Sequence, residues 1–181
     1  IKNGESVETS MGLTPLGGIP MGTRSGDLDP SVVTYLMKKE ELDADDMEEI
    51  LNRESGVYGM SMVSVDFRDI EAEALAGGKH AKLALDSYHY AIAGYIARCA
   101  VAMGGLDVIT FTAGVGEKSP YSRGEICKLL EFFGVEISGK LNLARGEETE
   151  ISKPESKVKV FVIPTNEELM IARDTEEVIK R

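Results

Sequence analysis

Residues 106–117, LDVITFTAGVGE, decide the fold of this chain because they join a short apolar run to a segment rich in small residues. The run over residues 106–111 has the length of a strand and ends in turn residues, so it predicts a buried β-strand. Residues 112–117 predict a tight turn, and residues 119–133 predict a helix that opens on a Ser-Pro pair. Because ligands collect at the carboxyl ends of strands in open α/β sheets, this turn is a candidate binding site. A tight turn without a ligand explains the same pattern.

A second strand and a second turn repeat this arrangement near the end of the chain. Residues 158–163, VKVFVI, predict another buried strand, and a last helix follows. Thr165 and Glu168 match a capping box, in which a Thr at the N-cap and a Glu three residues later satisfy backbone N–H groups. Glu167 has no part in that box, so its carboxylate is a candidate Mg²⁺ ligand, although acidic residues also occur there to complement the helix dipole. Strands that alternate with helices predict an α/β sheet with some parallel pairs.

The first half of the chain predicts helices. Helices are predicted to begin near Asp29, Asp43 and Lys79, where apolar periodicity accompanies a capping residue or a stop signal, and a short polar helix is predicted over residues 66–76. The last of them, residues 79–103, is the longest and is stopped by two glycines. Gly56 is expected to end the second helical region.

One cation in residues 21–30, MGTRSGDLDP, is not explained by local structure. Asp29 is accounted for as a helix N-cap, but Arg24 lies in an irregular run between Gly22 and Gly26. A guanidinium offers a planar fork of N–H donors that suits a carboxylate or a phosphate. An exposed loop arginine is the commoner case, whereas the small flanking residues favour an anion-binding role.

Composition restricts the partners and the compartment. The 181 residues carry a formal net charge of −11, which argues against sequence-independent binding to nucleic acid and against attraction to an anionic membrane surface. A few local cations can still create an anion site in a cleft. Cys99 and Cys127 are too few and too far apart for a disulfide framework or a zinc site, so both are expected to be buried free thiols. Without a signal peptide or an apolar run of roughly 18 residues, the chain is expected to be cytoplasmic.

Four segments together resemble the acetate kinases of the acetate and butyrate kinase family. They are residues 7–30 (VETSMGLTPLGGIPMGTRSGDLDP), 66–69 (DFRD), 111–117 (FTAGVGE) and 161–175 (FVIPTNEELMIARDT). The segments lie in family order and the resemblance covers essentially the whole chain. The decapeptide MGTRSGDLDP is its most specific motif.

The resemblance implies the actin, Hsp70 and sugar-kinase fold, which is ribonuclease H-like and has a mixed sheet flanked by helices. In that family two related lobes close over ATP or ADP and Mg²⁺, and the γ-phosphoryl group of ATP moves reversibly to acetate, which gives acetyl phosphate. Residues 1–181 look like the C-terminal lobe only, because the chain starts at Ile1 and the family's phosphate loop would precede it. The resemblance places a catalytic Asp and His and a second substrate Arg in the N-terminal lobe, which is expected to be absent from this chain. The chain alone is therefore expected to lack kinase activity.

The resemblance also assigns roles to residues by their position. Arg24 matches the arginine that contacts the substrate and the transferring phosphoryl group, and Glu167 matches a Mg²⁺-associated glutamate. The matches that contact the nucleotide are Asp66, Phe67, Arg68, Gly114, Val115 and Gly116, with Glu117 beside the last of these. Lys118 stands where family members commonly have Asn, so that position receives no family role.

Two other functions stay open at this point. A propionate kinase, or another short-chain carboxylate kinase, has the same motifs, and the residues that set acyl size lie largely outside this chain. A nucleotide-binding or assembly module without chemistry would describe the chain in isolation. The family implies a homodimer formed through this lobe, whereas the sequence itself shows only apolar helices that could form the interface.

Overall fold

The computed structural model describes residues 1–180, which divide into two compact units. One unit comprises Ile1–Leu106 and the other begins at Asp107. The first unit is helical, and the second combines a small sheet with helices. Within residues 1–180, no helix has the length and apolar character that crossing a membrane requires.

The first unit, residues 1–106, contains five α-helices. They are Pro30–Lys39 (α1), Ala44–Arg53 (α2), Gly56–Ser61 (α3), Phe67–Leu75 (α4) and Lys79–Met103 (α5). The helix starts predicted at Asp29, Asp43 and Asp66 are confirmed, because each carboxylate accepts a hydrogen bond from a backbone N–H in the first turn of its helix. α5 covers the predicted residues, ends at Met103 and is capped by Gly104, whose φ of 79° is readily adopted by glycine.

The prediction for Gly56 is wrong, because this residue begins a helix instead of ending one. α2 already ends at Arg53, and Gly56 is the first residue of α3. Its φ of 61° lies in the left-handed region, which a regular right-handed helix cannot continue through. The chain therefore changes direction between α2 and α3.

The core of the first unit forms where α3 and α4 pack against α5. Its buried apolar side chains are Met47, Val57, Ile70, Ala81, Ala84, Leu85, Tyr88, Ala93 and Ala100. Phe67 packs on Tyr88 with the ring centroids 4.9 Å apart, and burial raises the pKa of Tyr88 to about 12. This contact fixes the first turn of α4, which carries the predicted nucleotide-contacting residues of this unit.

The second unit is an α/β arrangement. In chain order it contains Val108–Phe111 (β1), Ala113–Lys118 (α6), Pro120–Leu129 (α7), Thr149–Glu150 (β2), Lys159–Val162 (β3) and Glu167–Ile179 (α8). The strands lie in the order β1-β3-β2, with β1 parallel and β2 antiparallel to β3, which confirms the expected mixed sheet. Phe111 pairs with Val162 at the ends of β1 and β3, so the loops that follow these strands leave the same edge of the sheet.

Three sequence-based expectations for buried segments need correction. In β1 only Ile109 and Phe111 are buried, because the other face of the strand is exposed. The helix predicted to reach residue 133 ends at Leu129, and a 3₁₀ turn follows. Cys127 is a buried free thiol, whose pKa burial raises to about 12, but Cys99 is only partly buried.

Candidate active site

The loop that carries Arg24, residues 21–27, is held in place by its own backbone. At the start of α3, the N–H groups of Ser55 and Val57 donate to the carbonyl oxygens of Thr23 and Met21, at 3.0 and 2.9 Å. The loop has no helix or strand of its own, so these hydrogen bonds to α3 satisfy its backbone carbonyls and fix its conformation. We call residues 21–27 the Arg24 loop.

Gly56 makes this close contact possible, and the sequence analysis missed its role. A Cβ atom on Gly56 would lie 2.3 Å from the carbonyl oxygen of Met21 and 2.6 Å from that of Arg24. Real Cβ atoms do not approach backbone oxygens so closely, and the positive φ adds a second reason for glycine. The signal available in the sequence was a glycine between two helices, which predicts a turn but not its partner.

The side chain of Asp27 also fixes the Arg24 loop. Its carboxylate accepts hydrogen bonds from the backbone N–H of Gly18 at 2.8 Å and from the hydroxyl of Tyr95 on α5. The hydroxyl bond is the main reason that the pKa of Asp27 is lowered, and the same bond raises the pKa of Tyr95. Asp27, which the sequence left unexplained, therefore ties the loop to the longest helix of the unit.

The Arg24 side chain is partly buried and lines an open cleft of about 710 Å³. The other lining residues are Met21, Gly22, Thr23, Asp45, Glu48, Glu49, Asn52, Arg53 and Val65. Arg53 already forms an ion pair with Glu49 at 3.1 Å. Within residues 1–180 no carboxylate pairs with Arg24, whose guanidinium makes only a weak contact of 3.6 Å with the sulfur of Met21. Its N–H donors are therefore available to an anionic ligand.

The predicted nucleotide-contacting residues 66–68 follow directly on Val65, which lines this cleft. Asp66 is the N-cap of α4 and accepts the backbone N–H of Arg68 at 2.9 Å. The Arg68 guanidinium also donates to both carboxylate oxygens, with its Nε at 3.0 and 3.1 Å. This side-chain bond, followed by the backbone bond, lowers the pKa of Asp66 to about 2. The segment thus offers an ionised carboxylate and an exposed cation close to the Arg24 cleft.

The glycine-rich segment after β1 is a short helix, α6, where the sequence predicted a turn. It starts at Ala113, whose φ of 58° is unusual for a residue with a side chain. Gly114 is exposed, and a Cβ atom placed on it would meet no atom within 4 Å. A Cβ on Gly116 would lie 3.4 to 3.6 Å from the backbone and Cβ of Phe111. Gly116 thus faces the end of β1 with room for ordinary van der Waals contact, whereas Gly114 leaves a bare backbone surface toward the solvent.

Thr165 joins the loop after β3 to the loop after β1. Its hydroxyl lies 2.7 Å from the hydroxyl of Thr112 and accepts the backbone N–H of Ala113 at 3.0 Å. Its own backbone N–H donates to a carboxylate oxygen of Glu117 at 2.7 Å. That bond is the main reason that the pKa of Glu117 is lowered. We call these four residues the Thr165 cluster.

The predicted capping box on α8 is wrong, because the Thr165 hydroxyl is directed to the neighbouring loop. The N-cap is Asn166, whose side-chain oxygen accepts the backbone N–H of Leu169 at 3.3 Å. Glu168 has no capping role in this arrangement. Glu167 is the first residue of α8, with an exposed side chain, as expected for a residue that projects from the first turn.

Arg123, on α7, is fully buried and was also missed by the sequence analysis. Its guanidinium donates to the carbonyl oxygens of Gly116 and Glu117, both at 2.8 Å, at the end of α6. It also donates to the side-chain oxygen of Asn142 at 2.8 Å and to the carbonyl oxygens of Asn142 and Ala144. Desolvation is the main reason that the pKa of Arg123 is lowered. This cation supports α6 from the interior of the unit.

A sequence signal for Arg123 exists in its spacing. The residue precedes Ile126, Cys127 and Leu130 by three, four and seven positions. All three are buried, and this spacing places the arginine on the same apolar face of the helix. A charged residue at such a position either pairs in the interior or marks a functional contact.

The candidate Mg²⁺ ligand, Glu167, presents a single exposed carboxylate at the carboxyl end of β3. No group of three His, Cys, Asp or Glu residues that could hold a metal ion occurs in the part of the chain that the structure describes. Mg²⁺ commonly takes one or two protein carboxylates and fills its remaining positions with water and substrate phosphates. The single carboxylate of Glu167 is therefore compatible with a Mg²⁺ site of this kind.

Known proteins with similar sequences cover nearly all of this chain. The model of the Acetokinase family matches residues 1–173. The acetate kinase of Thermosipho melanesiensis is 58% identical over all of this chain, which spans 45% of that protein's length.

Solved structures give a matching result. A crystal structure of Porphyromonas gingivalis acetate kinase is similar to 99% of this chain with a TM-score of 0.93 and 49% identity, and the match spans 45% of that protein. A crystal structure of a propionate kinase from Francisella tularensis is similar to 95% of this chain with a TM-score of 0.88 and 37% identity, and the match spans 44% of that protein. The chain thus spans less than half of the relatives it matches, and it belongs to the Acetokinase family.

Proposed function

We propose that this chain is the C-terminal, nucleotide-binding lobe of a kinase that transfers the γ-phosphoryl group of ATP reversibly to acetate, giving acetyl phosphate and ADP. The observation that carries the proposal is Arg24, a cation without an ion-pair partner among residues 1–180, set in a cleft by a rigid loop. The match to acetate kinases over the whole chain supports the choice of substrate.

The roles of the side chains follow from their chemistry. Arg24 binds the substrate carboxylate and the transferring phosphoryl group, because phosphoryl transfer depends on positioning and on neutralising the charge of the equatorial oxygens. We assign residues 66–68 and 114–116 to contacts with ADP or ATP, with the bare backbone of Gly114 facing the nucleotide and Glu117 beside this segment. Glu167 holds Mg²⁺, which when bound neutralises phosphate charge. Acetate attacks as a carboxylate and has no proton to lose, so the proposal asks no residue of this chain to act as a general base.

A second candidate is a kinase for propionate or another short-chain carboxylate. The similarity to the Francisella tularensis propionate kinase favours it, because the TM-score of 0.88 for that structure is close to the 0.93 for the acetate kinase. Rates measured with acetate, propionate and butyrate on the full-length enzyme distinguish the two candidates. The highest kcat/KM with acetate supports the first candidate, and the highest with propionate supports the second.

For the chain by itself we propose a binding role without turnover. The proposed partners are ATP or ADP with Mg²⁺, an N-terminal lobe and a second copy of the chain in a cytoplasmic homodimer. Formation of acetyl phosphate by the purified 181-residue chain, free of contaminating enzyme, would contradict the absence of turnover. Light scattering on the same sample tests the homodimer.

Addition of MgADP is expected to raise the melting temperature of the 181-residue chain. A ligand that binds only the folded state stabilises it by about 2.7 kcal/mol at a concentration of 100 times its Kd. The measurement is a thermal shift titration with MgADP, and MgCl₂ alone is the control. A melting temperature that does not respond to MgADP, in a sample that is dimeric by light scattering, would favour a pure assembly role.

Gly114→Ala is expected to weaken MgADP binding by at least about tenfold without loss of stability, because the added methyl group occupies the surface that the nucleotide approaches. The methyl group meets no atom of the chain within 4 Å, and alanine at a helical position is favoured over glycine by roughly 0.5 to 1 kcal/mol. The matched control is Gly94→Ala on α5, where a methyl group also meets nothing within 4 Å. Equal MgADP affinity in both variants would contradict the proposed role of Gly114.

A further inference from the structure

Two loops leave the same edge of the sheet in the second unit, and both carry residues assigned to the proposed function. The loop after β1 continues into α6 with Gly114, and the loop after β3 continues into α8 with Glu167. Neighbouring parallel strands bring such loops together, but strand pairing alone does not fix the loops themselves. The side chains and backbone groups of the Thr165 cluster supply that connection.

Glu117 contributes the charged group of the Thr165 cluster. Its carboxylate accepts the backbone N–H of Thr165 at 2.7 Å, two residues before Glu167. Its backbone carbonyl accepts a hydrogen bond from the buried guanidinium of Arg123 at 2.8 Å. The backbone of Glu117 is therefore fixed by the buried Arg123, and its side chain in turn fixes the backbone just before α8.

The other members of the cluster strengthen this arrangement. The hydroxyls of Thr112 and Thr165 lie 2.7 Å apart, and the N–H of Ala113 donates to Thr165 at 3.0 Å. Thr165 thus contacts the loop after β1 with both its backbone and its side chain. A carboxylate that accepts a backbone N–H forms a charge-assisted bond, which is roughly twice as strong as a neutral one.

We propose that Glu117 is a positioning residue: its carboxylate fixes the backbone at Thr165 and thereby sets the position of Glu167 relative to the Gly114 surface. The proposal rests on the proposed function, in which these two positions hold Mg²⁺ and the nucleotide. It assigns Glu117 a role that acts through the chain itself, because a carboxylate oxygen accepts the backbone N–H of Thr165.

Two substitutions separate a positioning role from a ligand role. Glu117→Gln keeps an oxygen that can accept the Thr165 N–H, and Glu117→Ala removes it. In the full-length enzyme, Glu117→Ala is expected to raise the Mg²⁺ concentration for half-maximal activity and the KM for ATP by about tenfold, as is usual when a support of a metal ligand is lost. Glu117→Gln is expected to stay within about threefold of the parent enzyme, because the weaker neutral bond still forms. Glu150→Ala, which removes an exposed carboxylate paired with Lys159 on β3, is the control.

A second measurement needs neither nucleotide nor metal. Thr165 is exposed, so slow hydrogen exchange of its amide depends on the bond to Glu117. Exchange measured by mass spectrometry on the full-length enzyme is expected to be faster at Thr165 in Glu117→Ala and unchanged in Glu117→Gln and Glu150→Ala. A Thr165 amide that exchanges equally fast in the parent and in Glu117→Ala would overturn the proposal, whatever the activity.

The kinetic outcomes separate this proposal from the proposed function. Equal impairment by Glu117→Gln and Glu117→Ala would show that the negative charge itself is needed, which overturns a positioning role. Unchanged Mg²⁺ dependence in Glu117→Ala would overturn it as well. A parent enzyme that transfers no phosphoryl group to acetate or propionate contradicts the proposed function, but the exchange result at Thr165 would still decide the role of the carboxylate.

Discussion

Arg24→Ala is expected to lower the turnover of the full-length kinase proposed above by a factor of about 10³ or more, which is the usual contribution of an arginine that stabilises a transferring phosphoryl group. The guanidinium has no ion-pair partner among residues 1–180 that would compete for its donors. The Arg24 loop is fixed by backbone bonds to α3, which the substitution leaves in place. The loss should therefore appear in kcat, measured as acetyl phosphate formation, with an unchanged melting temperature.

Two further variants test the geometry of this role. Arg24→Lys keeps the charge but loses the planar fork of donors, so its turnover is expected to lie between those of the parent and Arg24→Ala. Arg53→Ala removes the other cation of the cleft, which is exposed and paired with Glu49, and is expected to leave turnover within a few-fold. Turnover by Arg24→Ala within tenfold of the parent would contradict the catalytic role. An equal loss in Arg53→Ala would show that the general charge of the cleft matters, and not the position of Arg24.

Arg123→Met is expected to destabilise the chain by about 3 to 5 kcal/mol, because it leaves buried acceptors without their donor. Methionine fills similar space, so the cost comes from the lost hydrogen bonds and not from a cavity. The carbonyl oxygens of Gly116, Glu117, Asn142 and Ala144 and the side-chain oxygen of Asn142 all accept hydrogen bonds from this one guanidinium. A loss of this size is a large part of the 5 to 15 kcal/mol that stabilises a typical domain.

Urea unfolding followed by circular dichroism measures this effect. The matched control is Lys128→Met on the same helix, where an exposed side chain pairs with Glu125 at 2.6 Å, because exposed ion pairs contribute at most about 1 kcal/mol. Arg123→Lys keeps a buried cation with fewer donors, so its urea midpoint is expected between those of the parent and Arg123→Met. An unfolding midpoint of Arg123→Met equal to that of Lys128→Met would show that solvent or other groups replace the arginine.

Local signals in the sequence were sufficient to predict where several helices begin and which type of sheet forms. Helix starts at Asp29, Asp43 and Asp66 were predictable because a capping carboxylate acts within its own first turn. A sheet with some parallel pairs was predictable because apolar runs alternate with helices, and β1 and β3 form such a pair. Arg24 was also recognisable from its local sequence as a candidate site residue, because an isolated cation among small residues stands out without any knowledge of the fold.

Contacts between distant parts of the chain were not predictable in the same way. Thr165 has the spacing of a capping box with Glu168, but its hydroxyl bonds to residues 112 and 113 because the parallel strands bring the two loops together. Arg123 lies on the apolar face of its helix, but its partners are apparent only when the carbonyls of two other segments, residues 116–117 and 142–144, are placed around it. Local propensity decides where an element starts, and tertiary packing decides which of several possible partners a polar group takes.

Gly56 constrains the site although it offers no side chain. The carbonyl oxygens of Met21 and Arg24 lie where a Cβ atom on residue 56 would need space. Every replacement of Gly56 therefore pushes against the Arg24 loop. In a screen of random variants, this position should tolerate as little change as Arg24 itself, although it makes no contact through any functional group. Engineering of substrate preference around the cleft would therefore have to keep Gly56 unchanged and begin with the lining residues on α2, where side chains face open solvent.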